Sequence, residues 1–324
     1  MRTVITGVAG FVGRHLAREL AKNPEEELNG IDHVELGGSE ADEVLRCHLK
    51  SHRPLDVTNF EQVRGCLRET NPDRIVHLAA QASGSDSIKR PAETYRVNAI
   101  GALNVLEAAR LDVPGARILL VGSADVYGTG APGQKLREDA PMRPMNAYAL
   151  SKAAQDSLGE LYATEYDLPI LRTRTFSHTG PGQSPRFALA GWADQLAKIH
   201  AGLVAAEIKV GNLEGVRDYG DARDVVRAYR LLLDLGEPGE AYNVCTGHGH
   251  IMRRLLDSLC AIAGFKPTIV QDPARVRSRD SDFLVGDPGK LQAKTGWSPE
   301  IPIERTLEDL YREARERVRR ESGR

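Results

Sequence analysis

The sequence predicts an α/β fold: a doubly wound parallel sheet with helices on both faces, followed by a smaller C-terminal α/β region. Three observations carry this expectation. Short β-rich runs alternate with longer helical patterns over the first 125 residues, a glycine triplet follows the first run directly, and an acidic residue closes the second. Such alternation builds β-helix-β units, whose strands pair in parallel because each crossover returns the chain to the same end of the sheet.

TVITG is the first strand, and a helix is expected from about Phe11 to Ala21. ELNGID, RIVHLAA and RILLVGS follow as strands, the last two apolar enough to be covered on both faces. AIGALNVLEAARL after Asn98 and ALSKAAQDSLGELYATEY after Tyr148 space their apolar residues as amphipathic helices do. Beyond PILRTRTF the alternation lapses into HTGPGQSP, which continues neither helix nor central strand. The domain change is placed there, with residues 1–172 forming the sheet domain and 173–324 a mainly substrate-binding region from which some segments return to the sheet. AAEIKVGN, EAYNVCTG and KPTIVQD predict short strands, and a charged amphipathic helix begins near Ile303.

The 324 residues carry 43 basic and 45 acidic side chains, a net charge of −2, so no overall field attracts nucleic acid or an anionic membrane. Cys47, Cys66, Cys245 and Cys260 form no close pair and suggest neither a zinc site nor a disulfide framework. The N-terminus enters a strand without a signal-like segment, and no apolar span is long enough for a membrane, so a cytoplasmic location without a membrane partner is expected.

The triplet GVAGFVG gives three glycines three tasks. Gly7 permits a tight turn, Gly10 lets a pyrophosphate approach the helix N-terminus, and Gly13 allows helix and strand to pack closely, while Phe11 and Val12 complete the loop. This is the Rossmann-type arrangement. Asp32, closing ELNGID, is placed to bind the adenosine ribose hydroxyls, unless it merely ends the strand as a turn residue. Its charge favours NAD(H), with NADP(H) possible. Tyr148 and Lys152, four apart on one helix face, suit proton transfer, because an ammonium lowers the pKa of a neighbouring phenol. Ser123 ends RILLVGS at the carboxyl edge of the sheet, where it can hydrogen-bond a substrate carbonyl.

In order and spacing, Gly7, Gly10, Gly13, LAA at 78–80, Asn98, Ser123 in GSADVYG, Tyr148 and Lys152 resemble the extended short-chain dehydrogenases acting on nucleotide sugars. The resemblance implies that Asp56 and Val57 contact adenine, that Leu78, Ala79 and Ala80 line the cofactor, that Asn98 supports the Lys152 helix, and that Tyr148 and Lys152 also contact the cofactor, Lys152 holding the nicotinamide ribose. It also implies a homodimer formed by the helix after Asn98 and the helix bearing Tyr148. In the 4,6-dehydratases of this family an acid and a glutamate follow the catalytic Ser or Thr. Here they are Ala124 and Asp125, which disfavours dehydration and leaves Asp125 either a substrate contact or a structural residue.

The segments RTRTFSHTGPGQSPRFALAGWADQLAKIHAG, KVGNLEGVRDYGDARDVVRAY and FLVGDPGKLQAKTGWSPEIPIERTLEDL resemble the GDP-4-keto-6-deoxy-D-mannose reductases. That likeness implies NAD(P)H-dependent reduction of a GDP-linked 4-keto sugar, with Arg217 and Arg277 on the diphosphate and Asp280 on ribose hydroxyls. Ser177 occupies a position where asparagine is usual and is a candidate sugar contact; His178 is expected mainly to hydrogen-bond within its loop. A nucleotide-sugar 4-epimerase retaining NAD is the alternative, because it would use the same Tyr148.

Overall fold

The computed structural model describes residues 1–275 and 281–323. In chain order its first half comprises β1 (Arg2–Thr6), α1 (Phe11–Leu20), β2 (Glu27–Asp32), α2 (Glu40–His48), β3 (Ser51–Pro54), α3 (Phe60–Thr70), β4 (Arg74–His77), α4 (Gly84–Lys89) and α5 (Pro91–Tyr95). A π-helical turn (Arg96–Ile100) leads into α6 (Gly101–Asp112), then β5 (Arg117–Ser123), a short 3-10 turn (Ala124–Tyr127), α7 (Ala147–Glu165) and β6 (Ile170–Thr175). The second half adds β7 (Ser177–Thr179), α8 (Ala188–His200), β8 (Glu207–Val210), β9 (Val216–Asp221), α9 (Ala222–Leu235), β10 (Ala241–Val244), β11 (Gly249–Ile251) and α10 (Met252–Ala263). It closes with β12 (Thr268–Gln271), β13 (Phe283–Leu284), α11 (Gly289–Thr295) and α12 (Ile303–Glu321).

The main sheet is parallel, in the order β10-β6-β5-β4-β1-β2-β3. Alternate residues of each central strand point to opposite faces, so Val4, Ile75, Ile118 and Ile170 enter one core while Ile5, Val76, Leu119 and Leu171 enter the other. Helices α3, α6 and α7 cover the first face and α1 and α9 the second. Both faces are covered, which is why β4 and β5 read as mostly apolar runs, while β6 carries buried Arg172 and Arg174 that pair with Asp156 of α7. Truncating any one of the fully buried leucines to alanine would cost about 2–5 kcal/mol.

β6 extends to Thr175, past the expected boundary at 172. α9 and β10 return to the sheet layer, so EAYNVCTG supplies a main-sheet edge strand. The remaining second-half elements form a smaller unit: β7, β11 and β13 pair with the central β9, β8 pairs with β12, and α8, α10 and α12 share a separate apolar cluster. Cys66, Cys245 and Cys260 are buried and Cys47 is exposed.

Candidate active site

The strand order reverses between β1 and β4, which opens a crevice at their carboxyl ends. The glycine loop leaves β1 there and Leu78, Ala79 and Ala80 leave β4. The two backbones nearly touch: a Cβ on Gly7, whose φ is +72°, would lie 2.7 Å from Ala79 N. Leu78 N–H donates to Thr6 O at 3.1 Å and Ala79 N–H to Thr6 Oγ1 at 3.2 Å. A Cβ on Gly13 would lie 2.6 Å from Val8 O and nearer still to Gly7 O, so only glycine lets α1 start this close to β1.

Gly10 differs. It is exposed, caps α1 without a side-chain acceptor, and among the described residues its Cβ would meet only Gly7 O, at 3.1 Å. An open cradle at a helix N-terminus, with free N–H groups and no acidic residue in the first turn, fits the pyrophosphate of a dinucleotide. Val12 is half-buried. Phe11 stacks on His178, with ring centroids 6.3 Å apart and planes 8° apart, and so also ties the loop to the segment following β6. His178 itself donates from Nδ1 to Phe176 O at 2.9 Å, a bond within its loop.

Asp32 is 6 % exposed and its Oδ2 accepts Ala9 N–H at 2.9 Å, while Oδ1 lies 3.0 Å from His33 Nδ1. The carboxylate therefore braces the glycine loop, and its four acceptor sites leave capacity for a ribose hydroxyl. An arginine that sequence distance concealed stands close by. Arg14, arriving from α1, donates from Nε to Ala9 O at 2.8 Å and pairs with Asp42 of α2. Asp32 and Arg14 thus hold the two backbone groups of one residue. Asp56 is exposed, with Oδ1 accepting Thr58 N–H at 2.8 Å. Val57 is buried in the core beneath α6 and its carbonyl is taken by Asn104, so its side chain packs against protein.

The chemical groups gather around α7. Asn146 caps the helix by accepting Ala149 N–H at 2.8 Å, which sets Tyr148 in the first turn. Lys152, one turn on and 3 % exposed, donates to Val121 O at 3.0 Å and to Gln155 Oε1 at 2.8 Å. Burial pushes its pKa down to about 7. Asn98, in the π-helical turn, accepts Gln81 N–H at 2.7 Å and donates to Ser151 Oγ at 2.9 Å, a direct link to the residue before Lys152. Ser123 ends β5, nearly buried, and its Oγ accepts Asp125 N–H at 3.2 Å. Ala124 is 1 % exposed and packs with Val126, Tyr127 and Phe176, whereas Asp125 is half-buried in the 3-10 turn.

Two neighbours of Lys152 escaped the sequence reading. His77, fully buried at the end of β4, bonds Thr6 Oγ1 through Nδ1 at 2.8 Å; burial and the Lys152 charge lower its pKa to about 3, so it is neutral. Gln155 carried only its three-residue spacing from Lys152 as a signal.

In the smaller unit Ser177 of β7 lies opposite Tyr219 of β9, two positions from Arg217 on that strand. Arg217 is half-buried and donates to Val216 O at 3.0 Å. Arg277 and Asp280 lie outside the described residues. Among the described residues no group of three His, Cys, Asp or Glu side chains is arranged to hold a metal ion, and no helix is long and apolar enough to cross a membrane.

Comparison with known proteins agrees with this geometry. The family model for GDP-mannose 4,6 dehydratase matches residues 4–310. A GDP-6-deoxy-D-mannose reductase of Pseudomonas aeruginosa is 34% identical over 321 residues, covering 99% of each chain. A GDP-6-deoxy-D-talose 4-dehydrogenase of Aggregatibacter actinomycetemcomitans is 29% identical over 317 residues, 96% of this chain and 97% of that one. Among solved structures, RMD from Pseudomonas aeruginosa complexed with NADPH has a TM-score of 0.84 at 32% identity, covering 98% of this chain and 99% of the other. The Thermus thermophilus UDP-glucose 4-epimerase complex with NAD has a TM-score of 0.85 at 30% identity, with coverages of 97% and 99%. With a parallel dinucleotide-type sheet, a serine, tyrosine and lysine on its carboxyl side and a family match over nearly the whole chain, this protein belongs to the GDP-mannose 4,6 dehydratase family of extended short-chain dehydrogenases.

Proposed function

We propose that the protein reduces the C4 ketone of a GDP-4-keto-6-deoxyhexose, as in the conversion of GDP-4-keto-6-deoxy-D-mannose to GDP-D-rhamnose, at the expense of NAD(P)H. The observation that carries reduction over dehydration is Ala124. Its methyl group is buried in a hydrophobic cluster immediately after Ser123, where a dehydratase needs a proton donor. The full-length likeness to the Pseudomonas reductase supports the GDP-linked substrate.

Gly7, Gly10, Gly13, Asp32 and the Leu78–Ala80 turn would hold the dinucleotide, which when bound supplies the hydride. Tyr148 gives its phenolic proton to the ketone oxygen as negative charge develops there. Ser123 Oγ donates a hydrogen bond to the same oxygen. Lys152 in its ammonium form lowers the phenol's pKa so that proton exchange occurs near neutrality. Ser177 and Arg217, with Arg277 and Asp280, are the proposed contacts to the nucleotide sugar; a guanidinium grips phosphate oxygens bidentately. Asp125 is proposed as a structural anchor of the 3-10 turn, beside the substrate.

The test is incubation with GDP-4-keto-6-deoxy-D-mannose and NADH or NADPH. Absorbance of the reduced cofactor should fall in proportion to GDP-6-deoxyhexose formed, and Tyr148→Phe should slow this at least 100-fold, within the range of general acid catalysis of about 10²–10⁴. No consumption of either cofactor would overturn the proposal. Asp32 favours a second reading as an NAD-retaining 4-epimerase; that enzyme would interconvert a nucleotide sugar without net cofactor change and would purify with NAD bound. NAD(H) is the preferred cofactor on the same ground, and the proximity of Arg14 keeps NADP(H) open.

We also propose a homodimer. Tyr95, Ile100 and Leu111 from the α5–α6 region and Leu150 and Leu161 of α7 are all at least 40% exposed, an apolar set that a second copy of the same helices would cover.

A further inference from the structure

Lys152 is held by two acceptors, and one of them stands outside the Tyr148-Lys152 pattern. Gln155, three residues on along α7, is completely buried. Its Oε1 accepts from Lys152 Nζ at 2.8 Å, while its Nε2 donates at 2.9 Å to Val121 O, the carbonyl to which Lys152 also donates at 3.0 Å. Ammonium, amide and carbonyl close a ring. Val121 lies one residue beyond Leu120, the last β5 position paired with β4, and side chains take up its carbonyl. Only a group that both donates and accepts completes the ring. Leucine would leave the ammonium one acceptor, and glutamate would turn an anionic oxygen toward the Val121 carbonyl.

We propose that Gln155 is a positioning residue for Lys152: its amide fixes the ammonium between α7 and the end of β5 and favours the charged form on which Tyr148 depends. The inference rests on the Tyr148-Lys152 chemistry proposed above. The surroundings make a neutral acceptor decisive. From β4, His77 faces Lys152 uncharged. On α7 itself, Asp156 is taken by Arg172 and Arg174 of β6, at 2.8 and 3.0 Å. The π-helical turn brings the uncharged Asn98, bonded to Ser151 of α7, and Arg96, which is exposed and donates to Thr58 Oγ1 at 3.2 Å. Helices α4 and α5, which also pack on α7, carry Asp86 beside Arg186, Lys89 exposed, and Glu93 paired with Arg90 at the surface. Helix α6 carries Glu107, paired with Arg110 and Tyr162, and the 3-10 turn carries the half-buried Asp125 and Tyr127, whose hydroxyl bonds Asn243 and Arg174. Among the described residues no carboxylate hydrogen-bonds the Lys152 ammonium. With burial already pushing the lysine down to about 7, one polarised carbonyl tips the balance between ammonium and amine at neutral pH.

The experiment compares wild type, Gln155→Leu and Gln155→Glu, each first checked for an unchanged melting temperature. kcat/KM is measured from pH 5.5 to 9.5, and the dissociation constant of NADH by its fluorescence over the same range. In Gln155→Leu the alkaline limb of both profiles should move down by about one pH unit, a tenfold change in the ammonium-to-amine ratio, with KM for the sugar nucleotide unchanged. In Gln155→Glu, which keeps the shape of the side chain, the limb should move up and kcat should fall as the carboxylate holds the ammonium. Limbs that coincide with wild type in either folded variant overturn the proposal. Should Gln155→Leu fail to fold, the glutamate variant decides alone. Absence of turnover in the wild type would refute the reductase reading, and the NADH-binding profile would still decide the role of Gln155.

Discussion

Lys152→Met should kill turnover and raise stability, by an amount that depends on pH. Burial takes the lysine from its ordinary 10.5 to about 7. At 1.36 kcal/mol per pH unit, the folded state disfavours the ammonium by about 5 kcal/mol relative to the unfolded chain. Methionine has a similar length and no charge. Its introduction removes the penalty but strands Gln155 Oε1, an unpaired buried acceptor that costs about 1–3 kcal/mol. Val121 O keeps its bond from Gln155 Nε2. The net gain is about 2–4 kcal/mol at pH 6. For a chain of this length, with an unfolding entropy of about 2.1 cal/mol/K per residue, that raises the melting temperature by about 3–6 °C.

The direction with pH follows from where each state releases the proton. The unfolded chain keeps it to about 10.5 while the folded protein releases it near 7, so between those values the unfolded state binds more protons and wild-type stability rises with pH. The advantage of Lys152→Met is therefore full below pH 7 and fades toward pH 10. Melting by circular dichroism at pH 6, 8 and 10 measures it. A variant less stable than wild type at every pH, or a difference that does not change with pH, would refute the assignment of Lys152 as a lysine whose ammonium is penalised by burial.

Gly13→Ala forces a Cβ to 2.6 Å from Val8 O, so the α1 start must shift; a loss of about 2 kcal/mol and at least tenfold weaker dinucleotide binding are expected, read by melting and NADH fluorescence. Arg14→Ala releases Ala9 O and Asp42, leaving two carboxylates nearer an uncompensated loop, and should weaken NADPH more than NADH; equal effects on the two dissociation constants would exclude Arg14 from cofactor discrimination. Leu161→Asp places a charge in the exposed apolar face of α7 and should halve the mass measured by light scattering if that face is the dimer contact.

The parallel sheet was legible because its strands are buried on both faces, so RIVHLAA and RILLVGS carry the pattern without any partner being known. The glycine loop was legible for a related reason. Gly7 and Gly13 answer to backbone geometry within a few residues of themselves, and local constraints leave local traces. Contacts closed by tertiary folding left none. Arg14 reaches Ala9 O from the far side of the loop, and nothing near Asp32 in sequence announces it. His77 meets Thr6 across two strands, and EAYNVCTG reads as any short strand until pairing with β6 assigns it to the main sheet. Asp32 was read as a ribose ligand or a turn residue, and the fold gives the carboxylate a loop to brace as well, because β2 ends beside the first turn of α1.

The end of β5 explains why one fold serves several reactions. Val121 and Ser123, two apart, share one face of the strand; Val121 contributes its carbonyl, which Lys152 and Gln155 take, while Ser123 brings a hydroxyl to the sheet edge. The next residue no longer belongs to the strand. It begins the 3-10 turn and is swung into the cluster formed with Tyr127 and Phe176. An acid at position 124 would need that turn to open outward; alanine lets it close. On the proposed reading, the packing of this turn favours delivering hydride to a ketone over eliminating water, while the strand, the phenol and the ammonium stay as they are. Ala124→Asp tests this directly: the buried carboxyl should destabilise the turn by about 1–3 kcal/mol without conferring dehydratase activity, because one acid without its glutamate base completes only half of the proton transfer. Measurable dehydration of GDP-mannose by that single variant would refute the need for a glutamate base beside it.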